Sequence, residues 1–257
     1  MPVFDFHVRL VPRPGEYERL LTVLDECQIE RAAVAAGGTI DLRRLSRQLV
    51  EGGHVETDAD NEAVLAAGTA SGGRLVPFYF ANPHRPVDDY ARRGAEFHGL
   101  EISPAVHGVP LTDPRTEAFV AEAGRLAHPV YLVCLTRPGC TVADLTWLAG
   151  RHPEVTFVLG HSGIGNIDYH GVDLVAPVPN ILVETSGGYS GVLRAAIDRL
   201  GARRVLFGSE FPLQHPSVEL AKYRAVGLEP AQWALVAWEN AIRLLDRTHP
   251  GPDGRFE

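Results

Sequence analysis

The sequence lacks several features that define other classes of protein. Its three cysteines, Cys27, Cys134 and Cys140, form no CxxC pair, so we expect neither a disulfide framework nor a zinc ribbon. No apolar run approaches the roughly 20 residues that span a bilayer. The first residues show no basic segment followed by an apolar one. These absences predict a cytoplasmic protein with no membrane partner.

Positive charge is also scarce. The 257 residues include 24 Lys plus Arg against 32 Asp plus Glu, which gives a net charge of −8. A phosphate-binding surface needs clustered cations, so we expect no nucleic acid partner. Lys222 is the sole lysine, and arginine supplies the remaining positive charge. Hydrophobic residues make up 45% of the chain, which is typical of a globular protein with a substantial core.

Eight short apolar runs recur along the chain, and most are nearly continuous, as in strands buried on both faces of a parallel sheet. They span residues 3–8, 31–36, 75–81, 99–103, 130–135, 156–160, 181–184 and 205–208. Helical patterns lie between them, over residues 16–27, 58–70, 113–127, 141–151, 190–200, 217–226 and 229–246. Asp113-Pro114 and Thr141 with Asp144 supply N-terminal capping signals. Residues 37–57 are expected to form a long loop that shapes a pocket.

The alternation of strands and helices determines the predicted fold class. Repeated βα units indicate a parallel sheet in an α/β protein. Eight such units in about 250 residues favour a single (β/α)8 barrel, or TIM barrel, over an open doubly wound sheet. We therefore predict one barrel domain over residues 1–247 and a flexible Pro/Gly-rich tail over residues 248–257.

Polar residues collect at the C-terminal ends of the predicted strands, where the active site of such a barrel forms. On the first strand Asp5, His7 and Arg9 alternate with apolar residues, and the alternation predicts that all three face one side. At or after later strands the polar candidates are Glu101, His107, Cys134, His161, Glu184 and Glu210. Packing alone explains such a collection poorly, because an unpaired buried charge is costly.

Several of these residues also have a structural interpretation. Arg9 could form a buried ion pair with Asp5. Glu210 could accept backbone N–H bonds, and Cys134 could be a small core residue. For His107, like other histidines in loops or at helix ends, a solvated surface position is the default expectation. The joint pattern at several strand ends carries the functional interpretation.

Four segments resemble the amidohydrolase superfamily, in particular its amidohydrolase-related branch of decarboxylases and lactone hydrolases. They are Phe4-Asp5-Phe6-His7, residues 99–104 (GLEISP), residues 157–163 (FVLGHSG) and residues 204–212 (RVLFGSEFP), and residues 239–245 resemble the closing helix of the family. The resemblance implies a divalent metal, often zinc, that activates water or polarises the substrate. It matches His7 and His161 to two histidine ligands and places Glu210 where an aspartate is usual.

The chain departs from the metal site of the family in important positions. Arg9 stands where the second histidine of a His-x-His pair is usual, and a guanidinium cannot ligate a metal. The strand-five ligand position falls on Val133, next to Cys134. In other members of the superfamily a carboxylated lysine of the barrel bridges two metals. Lys222 lies in a helix beyond the last strand, so composition excludes such a binuclear site.

Two mechanisms are open for a small, anionic organic substrate. In one, His7, His161 and Glu210 hold a single divalent metal, zinc being the expected ion. In the other no metal binds. There His161 and Glu210 act as acid and base with His7 and Asp5 beside them, and Arg9 anchors the anion. Other expected substrate-binding residues are Glu101, His107, Glu184 and Cys134. The reaction is expected to be a hydrolysis, a decarboxylation or a related lyase or cyclase step.

A third hypothesis belongs to a different class. Loss of metal ligands also fits a catalytically inactive barrel that supports an active paralogue or binds a ligand. Retention of His7, His161 and an acid at position 210 disfavours it. Trp233 and Trp238 could serve a subunit interface or the core. We keep a homodimer, or a heterodimer with a paralogue, as an expectation.

Overall fold

A computed structural model of the chain describes residues 1–245. Eight parallel strands pair in sequence order, from β1 beside β2 to β7 beside β8. Their bounds are β1 Phe4–Leu10, β2 Arg31–Ala36, β3 Leu75–Phe80, β4 Gly99–Ile102, β5 Val130–Leu132, β6 Phe157–Leu159, β7 Ile181–Glu184 and β8 Val205–Leu206. The predicted α/β barrel is confirmed. The predicted tail over residues 248–257 lies outside the described residues.

Hydrogen bonds between the first strand and the segment after the last one close the ring. The Phe6 amide donates to the Phe207 carbonyl at 2.9 Å, and the Arg9 amide donates to the Phe211 carbonyl at 2.7 Å. The Glu210 amide donates back to the His7 carbonyl at 2.8 Å. Closure places the ends of β1 and β8 side by side, although some 200 residues separate them in sequence.

Helices cover the outside of the barrel. They are α1 Glu16–Glu26, α2 Leu42–Glu51, α3 Asn61–Ala70, α4 Asp88–Arg93, α5 Pro104–His107, α6 Pro114–Arg125, α7 Val142–Arg151, α8 Tyr169–Val175, α9 Ser190–Leu200, α10 Pro216–Val226, α11 Pro230–Ala234 and α12 Asn240–Leu245. Asp113 caps α6 by accepting a bond from the Arg115 amide, and Thr141 with Asp144 forms a capping box on α7. In residues 1–245 no helix is long and apolar enough to cross a membrane.

Two predicted elements differ from the structure. Residues 37–57 are not an open loop, because Asp41 accepts bonds from the amides of Arg43 and Arg44 and thereby starts α2. The single predicted helix over residues 229–246 is divided into α11 and α12 by a π-helical turn, Leu235–Glu239. Trp233 packs on Phe207 and Tyr223, and Trp238 packs on Phe4, so both tryptophans contribute to the core.

The regular alternation predicted for β1 is wrong. The pairing of β1 with β2 shifts register between Asp5 and Val8. Phe4 and Phe6 pack in a cluster that also takes side chains from six other strands, which is the barrel interior. Val8 packs instead in the layer between barrel and helices. At this irregularity the side chains of β1 stop alternating regularly between the two faces of the sheet. Asp5 and His7 therefore do not share a face by simple alternation.

Candidate active site

A cavity of about 1000 Å³ opens at the C-terminal ends of the strands. Residues at or just after all eight strands line it, and they include Arg9, Gly37, Phe80, Ser103, Cys134, His161, Ser186 and Glu210. Leu42, Arg43, Leu45 and Leu49 of α2 form part of its wall. The floor is therefore polar and ionisable, whereas much of the wall is apolar. This combination is typical of a site for a small organic ligand.

Arg9 is held at the cavity floor by a carboxylate of another strand. Its Nη2 donates to Glu101 Oε1 at 2.5 Å, and its guanidinium lies 5.3 Å from the centre of the Phe80 ring. Glu101 is fully buried. Burial acts to raise the pKa of Glu101, but the charge of Arg9 and the nearby His7 ring outweigh it and lower that pKa to about 2. Glu101, and not Asp5, is therefore the ion-pair partner of Arg9.

His161 follows β6 in a left-handed conformation with φ 59°, which an L-residue adopts only at a cost. Buried Glu184 stabilises this turn because its Oε2 accepts a bond from the His161 amide at 3.2 Å. The Ser186 hydroxyl donates to the same oxygen at 2.9 Å, and Ser186 Oγ lies 2.9 Å from His161 Nδ1. Because the Ser186 hydroxyl donates its hydrogen bond to Glu184, Ser186 Oγ can only accept one from His161. Nδ1 of His161 is therefore protonated and donates to Ser186 Oγ. Nε2 of His161 is then left unprotonated.

Glu210 lies beside His161 and shares the cavity with it. Glu210 Oε2 is 3.4 Å from His161 Nδ1, and each side chain is 20% exposed. Glu210 also has a left-handed backbone, with φ 59°. The bond from its amide to the His7 carbonyl fixes it to β1. Two strained residues with facing ionisable side chains are the arrangement expected of catalytic machinery.

His7 completes a group of three possible metal ligands. Ligand atoms of His7, His161 and Glu210 lie within 4.8 Å of one another. The His7 ring stacks on Tyr131, with ring centres 4.1 Å apart, and its Nε2 is 3.4 Å from Glu101 Oε2. His7 is 3% exposed, yet neither ring nitrogen has a hydrogen-bond partner among the described residues. Buried polar atoms are normally satisfied, so Nδ1 is available to a ligand, whereas Nε2 faces the Glu101 carboxylate.

Asp5 lies below this group. It is completely buried, and its Oδ1 accepts bonds from the Ser209 amide at 2.9 Å and the His7 amide at 3.2 Å. Burial raises the pKa of Asp5 to about 7, against the hydrogen bonds that lower it. Asp5 does not line the cavity, and its two hydrogen bonds join the end of β1 to the segment after β8.

Glu184 and His107 occupy different places from those expected, whereas Cys134 lies where it was expected. Glu184 is fully buried, and protein donors, including the Tyr131 hydroxyl at 2.7 Å, occupy both of its oxygens. It therefore positions His161 and does not face a substrate. His107 is also buried, 1% exposed, and lies outside the cavity lining, so the expectation of a solvated residue is wrong. Cys134 lines the cavity but is 3% exposed, and burial raises the pKa of its thiol.

Ser186 and Tyr131 were not among the predicted site residues. Both bind Glu184, and Ser186 also contacts His161. Ser186 stands two positions after the end of β7, so its place at a strand end was a usable signal. Tyr131 lies inside an apolar strand, where nothing distinguishes it from a core aromatic residue. Lys222 lies on α10, and its Nζ donates to the Thr185 and Gly188 carbonyls at 2.6 and 2.9 Å.

Comparisons with known structures agree with this architecture. An uncharacterised TIM-barrel protein from Bordetella bronchiseptica superposes with a TM-score of 0.75 at 16% identity, over 96% of this chain and 99% of that one. A protein from Pseudomonas putida, described as a 2-pyrone-4,6-dicarboxylic acid hydrolase, gives 0.70 at 15% identity, over 95% and 97%. A 5-carboxyvanillate decarboxylase from Novosphingobium aromaticivorans, with bound manganese, gives 0.67 at 15% identity, over 91% and 85%.

At these identities the structural likeness concerns the fold. No curated protein gives a significant match to the sequence. A family model described as amidohydrolase matches residues 5–247, which is nearly the whole chain. This match includes the whole barrel except Phe4, the first residue of β1, and every residue of the site described above. The chain belongs to this amidohydrolase family and is an enzyme of the hydrolase or lyase type.

Proposed function

We propose that the enzyme acts on a small organic carboxylate, by hydrolysis or by decarboxylation. His161 and Glu210 are assigned as the acid and base, and Arg9 is assigned as the anion anchor. The observation that carries this proposal is the contact of His161 Nδ1 with Glu210 Oε2 at 3.4 Å, in a cavity that Arg9 also lines. Two ionisable groups and a fixed cation thus face one space large enough for a small molecule.

The charges of the cavity support an anionic substrate. Arg9 uses Nη2 for Glu101, but its side chain is still 17% exposed, and its fork of five N–H groups leaves donors for a second carboxylate. Arg13 and Arg43 line the same cavity, and neither has an ion-pair partner among residues 1–245. The apolar wall formed by α2 and Phe80 suits an aromatic or other unsaturated ring next to the carboxylate.

The acid and base assignments follow from the hydrogen bonds. Ser186 accepts the Nδ1 proton of His161, so Nε2 is the atom free to take a proton. Glu210 lies beside Nδ1 and is the base, which takes a proton from a substrate hydroxyl or from water. His161 is the acid once Nε2 has taken up a proton, which it then donates to the substrate. Glu184 keeps His161 oriented throughout, because it binds the His161 backbone and Ser186 together.

The residues present also fit a single divalent cation. His7, His161 and Glu210 supply two imidazoles and a carboxylate, a donor set that zinc and related ions accept. The unpartnered Nδ1 of buried His7 supports this assignment. Arg9 would oppose a cation, but Glu101 neutralises its charge. A bound cation would supply Lewis-acid polarisation of a substrate oxygen or of water.

The test measures turnover of two candidate substrates, 5-carboxyvanillate and 2-pyrone-4,6-dicarboxylate, by the change in their ultraviolet absorbance. Each substrate is assayed with added Zn²⁺ or Mn²⁺ and again after a chelator has removed metal ions. We expect turnover of one compound and a loss of about 10²-fold or more in kcat for Glu210→Gln. Glu16→Gln is the matched control, because Glu16 lines the cavity but pairs with Arg19. The proposal would be overturned, in favour of an inactive barrel, if neither compound is turned over and neither shows binding that depends on Arg9.

A further inference from the structure

A second cluster of possible metal ligands lies away from the cavity. It consists of His54 and Glu56, in the segment after α2, and His84, in the segment after β3. One ligand atom from each lies within 4.8 Å of the others. Glu56 Oε1 is 3.7 Å from His54 Nε2 and 3.9 Å from His84 Nδ1. None of the three lines the cavity, so this cluster is independent of the proposed catalytic residues.

The tautomer of His84 is set for coordination. His84 Nε2 lies 2.8 Å from the His107 carbonyl oxygen. A carbonyl only accepts hydrogen bonds, so Nε2 carries the proton and Nδ1 presents a lone pair toward Glu56. A backbone carbonyl that holds the far nitrogen of a histidine is the usual outer partner of a metal-binding imidazole.

The backbone under the cluster is already fixed. The Glu56 carbonyl accepts bonds from Asn82 Nδ2 and Arg85 Nη2, both at 3.0 Å. The amide of Val55 donates to the Val106 carbonyl at 3.0 Å. The two segments that carry the ligands are thus joined before any ion binds, which lowers the entropic cost of assembling the site.

Only side-chain movement is needed to complete coordination. The rings of His54 and His84 are stacked, with centres 5.1 Å apart and planes inclined by 15°. One ion cannot lie in both ring planes in that arrangement, so one ring must turn. The side chain of His54 is 46% exposed, and it can turn about its own torsions without disturbing the core. Two imidazoles and one carboxylate then leave a position for water, as in three-ligand zinc sites.

We propose that His54, Glu56 and His84 bind a divalent transition-metal ion of the zinc type, and that this ion restrains the cavity-lining helix α2. Helix α2 ends at Glu51, and Gly52 and Gly53, with φ values of 88° and 108°, connect it to His54. Glycine gives this connection its conformational freedom. Arg137 already donates to the Gln48 and Gly53 carbonyls at 2.7 and 3.2 Å, and an ion that ties His54 to His84 would add a further restraint to this end of α2.

The test isolates the second cluster from the cavity. In a His161→Ala, Glu210→Ala variant, checked for folding by circular dichroism, we expect one Zn²⁺ per chain by calorimetry and a Co²⁺ absorption spectrum. Adding His84→Gln is expected to weaken binding about tenfold or more. His170→Gln, at an exposed histidine of α8, should change nothing.

A second measurement does not depend on the cavity variant. In the otherwise unmodified chain, His54→Gln and His84→Gln should each weaken the binding of one Zn²⁺ about tenfold or more. Zn²⁺ should also slow amide hydrogen exchange across α2, and this protection should be absent in His54→Gln. Zn²⁺ binding that is unaffected by His54→Gln and His84→Gln, or no binding outside the cavity, would overturn the proposal.

Discussion

Arg9 and Glu101 join the first and fourth strands across the inside of the barrel, with Nη2 of one 2.5 Å from Oε1 of the other. The pair explains how an arginine can lie at the floor of the cavity with most of its side chain buried. Glu101 is fully buried and balances the guanidinium charge. The remaining donors of Arg9 can then serve a ligand without leaving an isolated buried cation.

Replacing Glu101 with Gln is expected to lower the free energy of unfolding by about 3 kcal/mol, because Arg9 loses its partner in a largely desolvated position. Urea unfolding at pH 7 measures the change. The matched control is Glu96→Gln, which removes an exposed partner of Arg93 and should leave stability nearly unchanged. An equal effect of the two substitutions would contradict a structural role for the pair.

Ser186 Oγ is expected to accept a hydrogen bond from protonated Nδ1 of His161. In the wild-type protein this proton should give a downfield NMR signal with slow exchange, and Ser186→Ala should remove the signal or speed its exchange. Ser162→Ala is the matched control, because Ser162 is equally buried and adjacent to His161, but its hydroxyl has no partner among the described residues. If both variants keep the signal, Ser186 does not fix the tautomer.

His107 should make stability depend on pH. Burial, together with nearby His84, lowers the pKa of His107 to about 4 from 6.5. The unfolded chain therefore binds more protons between these values, so stability is full above pH 6.5 and is lost as pH falls toward 4. We expect His107→Leu to remove about 2 kcal/mol of the stability difference between pH 7 and pH 5.

Urea unfolding of both proteins at the two pH values tests this expectation. His170→Gln, at an exposed position, is the control and should keep the wild-type difference. A His107→Leu protein with the wild-type pH dependence would show that the effect comes from other groups.

The barrel could be predicted because the sequence signals for its strands and helices lie close together along the chain. Apolar runs, capping residues such as Asp113 and Thr141, and strand-to-helix alternation all act within a few residues of each other. Helix α2 also had a local signal, since Asp41 precedes leucines at positions 42, 45 and 49. The surrounding arginines and glycines, however, are typical of a loop and hide this signal.

The pairings inside the site could not be predicted in the same way. Arg9 meets Glu101 across 92 positions, and β1 alternation pointed to Asp5 as its partner. The register shift after Asp5 overturns that alternation, and it has no signature in the sequence. The burial of His107 likewise depends on the segment around Val55, which packs over it only in the folded chain.

Gly208 is expected to be required beside Glu184. A Cβ at position 208 would overlap the Glu184 carboxylate, which is buried and bound by protein donors and therefore cannot move aside. We predict that Gly208→Ala lowers the free energy of unfolding by about 1–3 kcal/mol. Because Glu184 holds His161, the same substitution should also reduce turnover of any substrate found for the enzyme.

Gly150→Ala provides the contrast. Gly150 lies in α7, and a Cβ there would meet no atom within 4 Å. Alanine should stabilise the helix by about 0.5–1 kcal/mol, because glycine loses more backbone entropy on folding. Thermal and urea unfolding of the two variants would measure both effects. If Gly208→Ala proves as stable as Gly150→Ala, the turn after β8 can shift away from Glu184. This carboxylate is then not the fixed support of His161.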